Sequence, residues 1–375
     1  MSSDTTGKTV RENTTRSFRV VGLPGDGVGP EVYQSARQVL AFMDELFGLP
    51  IELDEQAIGG VAVDTTGTPL PQATIDACKT ADAALLGAVG GPRWDNYPAE
   101  ERPELGLLKI RSEFNLFCNL RPIVTHPALH AFSPLRPERL EAVDLLIVRE
   151  LTGGIYFGKK WRDSDQAEDT CRYTRDEVER ITRAAGALAR QRKSRITLVD
   201  KANVLETSRL WREVVSQVLG DEFPDVSLEN ILVDAAAMHL LSRPADFDVI
   251  LTENLFGDIL SDEASMLCGS MGLLPSASLN DKQFGLYEPI HGSAPDIAGQ
   301  GKANPYGMLL SVAMMLRHSL DRPDEASALE KSIHACWQEG ILTPDLVATG
   351  CSTAQVTDAV CERLSPGNRF QSTGS

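Results

Sequence analysis

The sequence predicts an α/β protein with a mostly parallel sheet and two domains. Short apolar runs rich in Val, Ile, Leu and Ala alternate with helical patterns along the chain, as expected for buried parallel strands joined by helices. The length of 375 residues exceeds what one hydrophobic core usually supports. A hydrophobic content of 42% with 24% charged residues is ordinary for a globular protein.

The elements can be placed in order along the chain. The first predicted strand covers residues 18–23 and leads through a glycine turn into a helix from about 30 to 47. A long helix begins at Thr174-Arg-Asp-Glu177, which is a capping-box pattern. Five further apolar runs are predicted to be buried strands, at residues 83–86, 143–148, 196–199, 231–233 and 249–251.

Composition excludes several classes of protein. A net charge of −17 argues against nucleic-acid binding through a basic surface, and no apolar run approaches the roughly 20 residues that span a bilayer. The seven cysteines show no CxxC spacing and are odd in number, so we expect reduced, mostly buried thiols in a cytoplasmic protein. Residues 1–17 lack the apolar core of a secretory signal and are predicted to be a disordered tail rather than a transit peptide.

Two aspartates, Asp258 and Asp262, follow the predicted strand 249–251 and lie one helical turn apart. Both carboxylates would project from one face of a helix and repel each other, with nothing basic nearby in sequence. A divalent cation would relieve that repulsion, and all-oxygen ligands favour Mg²⁺ or Mn²⁺. The alternative is a pair of acids placed at a helix N-terminus by the helix dipole.

Other polar residues also stand where predicted strands end. Ligands of open α/β sheets bind beyond the carboxyl ends of the strands, so chemistry is expected there. These residues are Arg149, Glu150, Asp200, Lys201, Asp234 and Glu253. Together they supply acids, a lysine and an arginine, which are groups that a single active site could use.

The glycine turn Gly25-Asp-Gly-Val-Gly-Pro-Glu31 after the first strand invites comparison with dinucleotide-binding proteins. Its third glycine is misplaced for G-x-G-x-x-G, so the ordinary Rossmann fingerprint is rejected. Pro30 fits the first turn of a helix, and the turn is interpreted as a strand-to-helix connection.

Three arginines could hold a dicarboxylate through bidentate contacts: Arg111, Arg121 and Arg149. Each alone could equally be a surface residue. Arg149 is the hardest to assign to the surface, because it directly follows a run predicted to be buried.

Tyr156 is flanked by glycines on both sides, which suggests a tight backbone that presents the hydroxyl. A tyrosine can act as a general acid if a nearby cation lowers its pKa from about 10. Lys201 could supply that cation or, if its charged form is disfavoured by burial, act as a base. The alternative for Tyr156 is an aromatic residue packed in a hairpin.

The segment 288–305 combines small residues with polar ones. Its small residues would let the backbone approach a planar ring, His291 could lie against that ring, and Asp296 could bind a ribose diol. An acid at the ribose favours NAD over NADP, since a 2′-phosphate would be repelled. The alternative is a surface loop rich in Gly and Pro.

Together these segments resemble the β-decarboxylating dehydrogenases that act on isocitrate and 3-isopropylmalate. The similarity runs from about residue 19 to the C-terminal region, and its strongest stretches are 149–158, 199–206, 254–278 and 287–305. The resemblance implies a homodimer with the non-Rossmann α/β fold of that family. Residues 1–116 and 269–375 would form the first, cofactor-binding domain, and residues 117–268 the second, dimerisation domain.

The resemblance also implies roles for individual residues. Tyr156 would reprotonate the enolate left by decarboxylation, and Lys201 would take the hydroxyl proton, with Lys201 and Asn203 crossing the subunit interface. Mg²⁺ or Mn²⁺ would be bound by Asp258, Asp262 and Asp234 of the other subunit. The substrate would contact Leu107, Arg111, Arg121, Arg149 and Asp234. NAD would lie along Asn203, Glu288, His291, Gly292, Ser293, Ala294, Asp296 and Asn304.

Leu107 and Leu108 favour an isopropyl group over a further carboxylate, because burying an unpaired charge is costly. The expected reaction is therefore the NAD-dependent oxidative decarboxylation of 3-isopropylmalate to 2-oxo-4-methylpentanoate, in leucine biosynthesis. Tartrate, homoisocitrate and isocitrate are the alternative substrates. A non-catalytic regulatory subunit of the same fold is a further alternative, although the tyrosine, lysine and aspartates are all present.

Overall fold

The computed structural model describes residues 17–98 and 101–365. Nearly all of the polar tail that the sequence analysis predicts at residues 1–17 lies outside these ranges. The strands are β1 (Phe18–Gly25), β2 (Ile51–Glu55), β3 (Ala83–Ala88), β4 (Cys118–Val124), β5 (Asp144–Glu150), β6 (Lys160–Arg162), β7 (Ala167–Asp169), β8 (Arg195–Asp200), β9 (Ser227–Leu232), β10 (Val249–Thr252), β11 (Pro275–Leu279) and β12 (Gly285–Pro289). The helices are α1 (Gly29–Phe47), α2 (Gly60–Thr66), α3 (Gln72–Lys79), α4 (Pro103–Glu113), α5 (Arg175–Arg190), α6 (Glu206–Glu222), α7 (Val233–Ser242), α8 (Asn254–Ser265), α9 (Tyr306–His318), α10 (Pro323–Gln338) and α11 (Thr353–Arg363).

Ten strands form one sheet in the order β2-β1-β3-β12-β11-β4-β5-β10-β8-β9. Pairing is antiparallel only in the middle, from β12 through β11 and β4 to β5, and parallel in both flanks. Half of the sheet comes from the two ends of the chain and the other half from residues 118–252. The predicted domain boundaries at 116/117 and 268/269 stay a prediction, since the hydrogen-bonded sheet is continuous across them.

Both faces of the sheet are covered. Along β1 the side chains alternate between two hydrophobic clusters, with Val20 in one and its neighbour Val21 in the other. Strands buried on both faces have near-continuous apolar sequences, which is why the runs in β3, β5, β8 and β10 were recognisable. Helix α9 belongs to the larger of these clusters, and its side chains are buried on nearly every face.

The local patterns are mostly found as predicted. The capping box at Thr174 and Glu177 is present at the start of α5, and the predicted helix 30–47 corresponds to α1. The predicted strand 231–233 corresponds to the end of β9, which stops at Leu232, and Asp234 follows it in the first turn of α7.

The cysteines agree with the expectation of free, mostly buried thiols. All seven cysteines are free thiols, and five of them are buried. In the described ranges, no helix combines the length and the apolar character that crossing a membrane requires.

Candidate active site

The parallel strands β5, β10 and β8 end together at one edge of the sheet. Thr252 at the end of β10 pairs with Arg149 on one side and with Val199 on the other. The residues that follow β5 and β10 are thereby brought side by side at the carboxyl edge of the sheet.

Asp258 is the centre of the cluster at this edge. Its carboxylate accepts hydrogen bonds from Nη1 of Arg149 at 2.6 Å and from the hydroxyl of Tyr156 at 2.7 Å. Burial raises the pKa of Asp258, but the charges of Arg149 and Arg121 outweigh burial and leave that pKa below its ordinary value. Asp258 is therefore ionised at neutral pH.

Asp262, one turn further along α8, receives a hydrogen bond from Nη1 of Arg121 at 3.3 Å. About half of its side chain is exposed, and its second carboxylate oxygen has no hydrogen-bond partner in the described residues. The sequence showed nothing basic near the two aspartates, but the fold brings Arg121 and Arg149 against them. These guanidinium cations partly relieve the repulsion, so the repulsion alone does not require a metal ion.

The three predicted arginines are all buried and mutually close. Burial and the neighbouring charge of Arg121 lower the pKa of Arg149 to about 10. Arg111 donates to Glu288 at 2.9 Å, while its buried Nε has no hydrogen-bond partner among the residues described. A cluster of buried guanidinium groups with an unsatisfied donor is suited to a substrate with more than one carboxylate.

Tyr156 ends a short 3-10 turn (Gly154–Tyr156) that follows β5. Gly154 has a φ of +73°, and a Cβ there would come within 2.4 Å of the hydroxyl of Tyr173, so that glycine is required. The guanidinium of Arg149 lies 5.6 Å from the Tyr156 ring centroid. Burial and the hydrogen bond to Asp258 raise the pKa of Tyr156 to about 12, whereas a nearby lysine was expected to lower it.

Lys201 and Asp234 form a pair of their own. The lysine Nζ lies 2.5 Å from the Asp234 carboxylate, which is 63% exposed, and Asn203 is exposed beside them. The hydrogen bond from Lys201 lowers the pKa of Asp234. No contact joins this pair to Tyr156 or Asp258 in the described part of the chain, and no three His, Cys, Asp or Glu side chains gather there as a metal set. Asp234 therefore does not meet the other two predicted metal ligands, Asp258 and Asp262, within one chain.

Three of the residues predicted to hold the cofactor, His291, Ala294 and Asn304, line a cavity of about 290 Å³. Nε2 of His291 is buried without a hydrogen-bond partner in the described structure, and burial lowers the pKa of that histidine. Asn304 donates to Asp345 at 3.0 Å. Asp296 and Gly292 are exposed nearby, while Ser293 is buried. The cavity is lined by Val28, Ser270, Gly272, His291, Ala294, Ile297, Lys302, Ala303, Asn304, Pro344 and Asp345.

The glycine turn after β1 supports this segment. The N–H of Val28 donates to the carbonyl of Ser293 at 2.8 Å, and a Cβ on Gly27 would come within 2.0 Å of the same oxygen. The buried Asp26 carboxylate accepts three backbone N–H groups at 2.7–2.8 Å and fixes the turn. The turn is thus a scaffold for the cavity, although it lacks the Rossmann spacing.

Comparison with known proteins gives one family. The family model for isocitrate/isopropylmalate dehydrogenases matches residues 19–360. The chain belongs to this family. A protein of Rhodopirellula baltica named 3-isopropylmalate dehydrogenase is 54% identical over 92% of this chain and 98% of its own length. One of Carboxydothermus hydrogenoformans with the same name is 53% identical over 93% and 96%.

Solved structures of the family share the fold. Isocitrate dehydrogenase from Methylococcus capsulatus superposes with a TM-score of 0.82 at 35% identity, covering 92% of this chain and 99% of that one. A β-decarboxylating dehydrogenase from Thermococcus kodakarensis, in its apo form, gives a TM-score of 0.76 at 35% identity, covering 92% and 96%. The fold class expected from the sequence is confirmed.

Within this family fold, α4 carries the residue predicted to set substrate specificity. Leu107 lies one turn before Arg111 on that helix, is half-buried and packs against the smaller hydrophobic cluster. The spacing places its side chain on the same helix face as the arginine.

Three residues of the site were not singled out in the sequence. Asn254 stands within the aspartate run but contacts Arg149, and its position two residues after the end of β10 was the available signal. Val28 lies in the glycine turn. Asp345 follows α10 in irregular structure and reaches Asn304 only through the tertiary fold, so that no local signal existed.

Proposed function

We propose that the protein catalyses the oxidative decarboxylation of 3-isopropylmalate with NAD⁺ to 2-oxo-4-methylpentanoate, a step of leucine biosynthesis. The observation that carries the proposal is the cluster of three buried arginines around Asp258, with the Tyr156 hydroxyl 2.7 Å from that carboxylate. Such a cluster suits a compact dicarboxylate and a proton donor at its reacting carbon. The names of the relatives that are 53–54% identical support the same substrate.

In this proposal the chain's own residues perform binding and proton transfer. Arg111, Arg121 and Arg149 hold the two malate carboxylates, and Leu107 contacts the isopropyl group. Lys201 accepts the hydroxyl proton. The hydroxyl of Tyr156 then delivers a proton to the carbon that loses CO₂.

The residues fit the two cofactors that we propose. Asp258 and Asp262 offer carboxylate oxygens, one of them without a partner in the described structure, and oxygen ligands suit Mg²⁺ or Mn²⁺. A bound divalent cation supplies Lewis-acid stabilisation of the charge that develops on the substrate oxygen. For NAD⁺, which supplies the hydride acceptor, the cavity offers the unpaired Nε2 of His291, and the exposed Asp296 suits a ribose diol.

We further propose that the enzyme works as a homodimer, with Lys201, Asn203 and Asp234 serving the other subunit's site. Asp234, Met238 and Leu241 follow one another at helical spacing on α7, and all three are exposed. Large exposed apolar side chains on these parts of the chain favour an interface with a second subunit. They comprise Val204, Leu205, Met238, Leu241, Ile259 and Met266.

The substrate is tested by following NADH formation with purified protein, NAD⁺ and Mg²⁺. 3-Isopropylmalate should be oxidised far faster than isocitrate, homoisocitrate or tartrate, because the Leu107 side chain cannot pair with a charged or hydroxylated substituent. Activity on isocitrate equal to or above that on 3-isopropylmalate would refute the substrate assignment. Absence of turnover on the whole panel would refute the enzymatic function.

The shared site is tested by mixing Asp234→Asn with Tyr156→Phe protein after dissociation and reassembly. Each variant alone should be nearly inactive. Random exchange should recover about a quarter of wild-type activity, because half of the dimers are mixed and each mixed dimer has one intact site. Mixed dimers that recover nothing, or a fully active Asp234→Asn variant, would contradict the exchange of residues between subunits.

A further inference from the structure

We infer that Asn254 is a positioning residue that holds Arg149 and the Tyr156 loop in one fixed arrangement, an inference that rests on the proposed function. Asn254 is the first residue of α8 and is only 1% exposed. Its side-chain amide has one accepting and one donating end, and the structure uses both ends for different parts of the site.

The accepting end fixes the arginine. Oδ1 of Asn254 receives hydrogen bonds from Nε of Arg149 at 3.1 Å and from Nη2 at 2.8 Å. These two bonds orient the plane of the guanidinium group and leave Nη1 for Asp258 at 2.6 Å. Because Arg149 is 2% exposed, no bulk water competes for these donors.

The donating end fixes the loop that carries the tyrosine. Nδ2 of Asn254 donates to the carbonyl of Gly153 at 3.1 Å. On its other side, the N–H of Gly153 donates to the buried carboxylate of Glu150 at 2.8 Å. The peptide groups before the 3-10 turn are therefore held from two directions, and Tyr156 follows three residues later.

The consequence is that one amide sets the distance between a substrate-binding arginine and the proton donor. Arg149 and Tyr156 both reach Asp258, but the hydroxyl can meet the reacting carbon only if the loop keeps its place relative to the guanidinium group. Alanine can satisfy neither partner, and aspartate can accept from Arg149 but cannot donate to Gly153. The two substitutions therefore separate the two functions.

The experiment measures kcat, the KM for 3-isopropylmalate and the KM for NAD⁺ in wild type, Asn254→Ala and Asn254→Asp. Asn254→Ala should raise the substrate KM and lower kcat, each by about tenfold or more, while the KM for NAD⁺ stays within about twofold. Asn254→Asp should mainly lower kcat. In both variants the solvent deuterium isotope effect on kcat should increase, because a misplaced hydroxyl makes reprotonation slower.

Asn280→Ala is the matched control, since the Asn280 amide also donates to a backbone carbonyl, that of Phe114 at 3.1 Å, outside the site. It should leave the kinetic constants and the isotope effect unchanged. If Asn254→Ala does not fold, the Asn254→Asp variant still tests the inference. A wild-type kcat and a wild-type isotope effect in Asn254→Asp would overturn it. An inactive wild-type enzyme would instead refute the proposed function, so the two failures are distinguishable.

Discussion

Replacing Gly257 by alanine should lower catalytic activity strongly and cause at most a moderate loss of stability. Gly257 lies inside α8, one residue before Asp258, where the Arg149 side chain crosses the helix. A Cβ at this position would lie 2.6, 2.9 and 3.1 Å from Cγ, Cβ and Cδ of Arg149. Carbon atoms pack best at about 3.5–4.0 Å, so the arginine must move by about 1 Å.

Two opposing effects set the stability change. Alanine in a helix interior is better than glycine by about 0.5–1 kcal/mol, whereas overpacking a buried site costs about 1–3 kcal/mol. The free energy of unfolding should therefore fall by about 0–2.5 kcal/mol. Activity should fall further, because a displacement of about 1 Å in a substrate-binding group can reduce kcat/KM by about 100-fold.

Gly220→Ala provides the comparison, because Gly220 is also helical, in α6, but a Cβ there meets nothing within 4 Å in the described structure. This variant should gain about 0.5–1 kcal/mol and keep full activity. Urea unfolding and steady-state kinetics on both proteins give the two quantities. If Gly257→Ala behaves like Gly220→Ala in both assays, the reasoning about Arg149 is wrong.

Three further predictions concern single residues. Tyr156→Phe should lower kcat strongly with NAD⁺ binding nearly unchanged, and unchanged turnover would exclude the acid role. Asp296→Lys should weaken discrimination against NADP⁺; an unaltered ratio of kcat/KM for the two cofactors would show that Asp296 does not contact the ribose. Burial, with a contribution from Arg317, lowers the pKa of His318 to about 4, so the unfolded state, with a pKa of about 6.5, binds the proton first as the pH falls. Unfolding in urea should therefore become easier by about 2 kcal/mol between pH 7 and pH 5 through this group, and His318→Gln should remove that part of the pH dependence.

Much of the fold could be predicted because strands buried on both faces have recognisably apolar sequences. The strands β3, β5 and β10 each contain an apolar run, and Thr197 alone interrupts the run in β8. The capping box of α5 is complete within four residues. The spacing of Asp258 and Asp262 likewise predicts that both lie on one helix face, and they do. In each case the signal is contained within one or two turns of the chain.

The central strands β4 and β11 do not have such an apolar sequence. β4 contains Asn119 and Arg121, and β11 contains Ser276 and Ser278, all buried. These polar residues satisfy one another, since the Asn119 amide donates to both serine hydroxyls and accepts from Nε of Arg121. A buried polar network of this kind breaks the apolar pattern by which strands are recognised, and only the pairing of β4 with β11 accounts for it.

The sequence by itself determined the α/β class, the residue types of the site and their positions at strand ends, because periodicity and strand ends are local properties of the chain. The tertiary structure decided which charges meet. It placed Arg121 and Arg149 against Asp258, joined Lys201 to Asp234 instead of Tyr156, and set Asp345 beside Asn304. Electrostatic pairing depends on distance in space, and residues far apart in the chain come within that distance only after the sheet has formed.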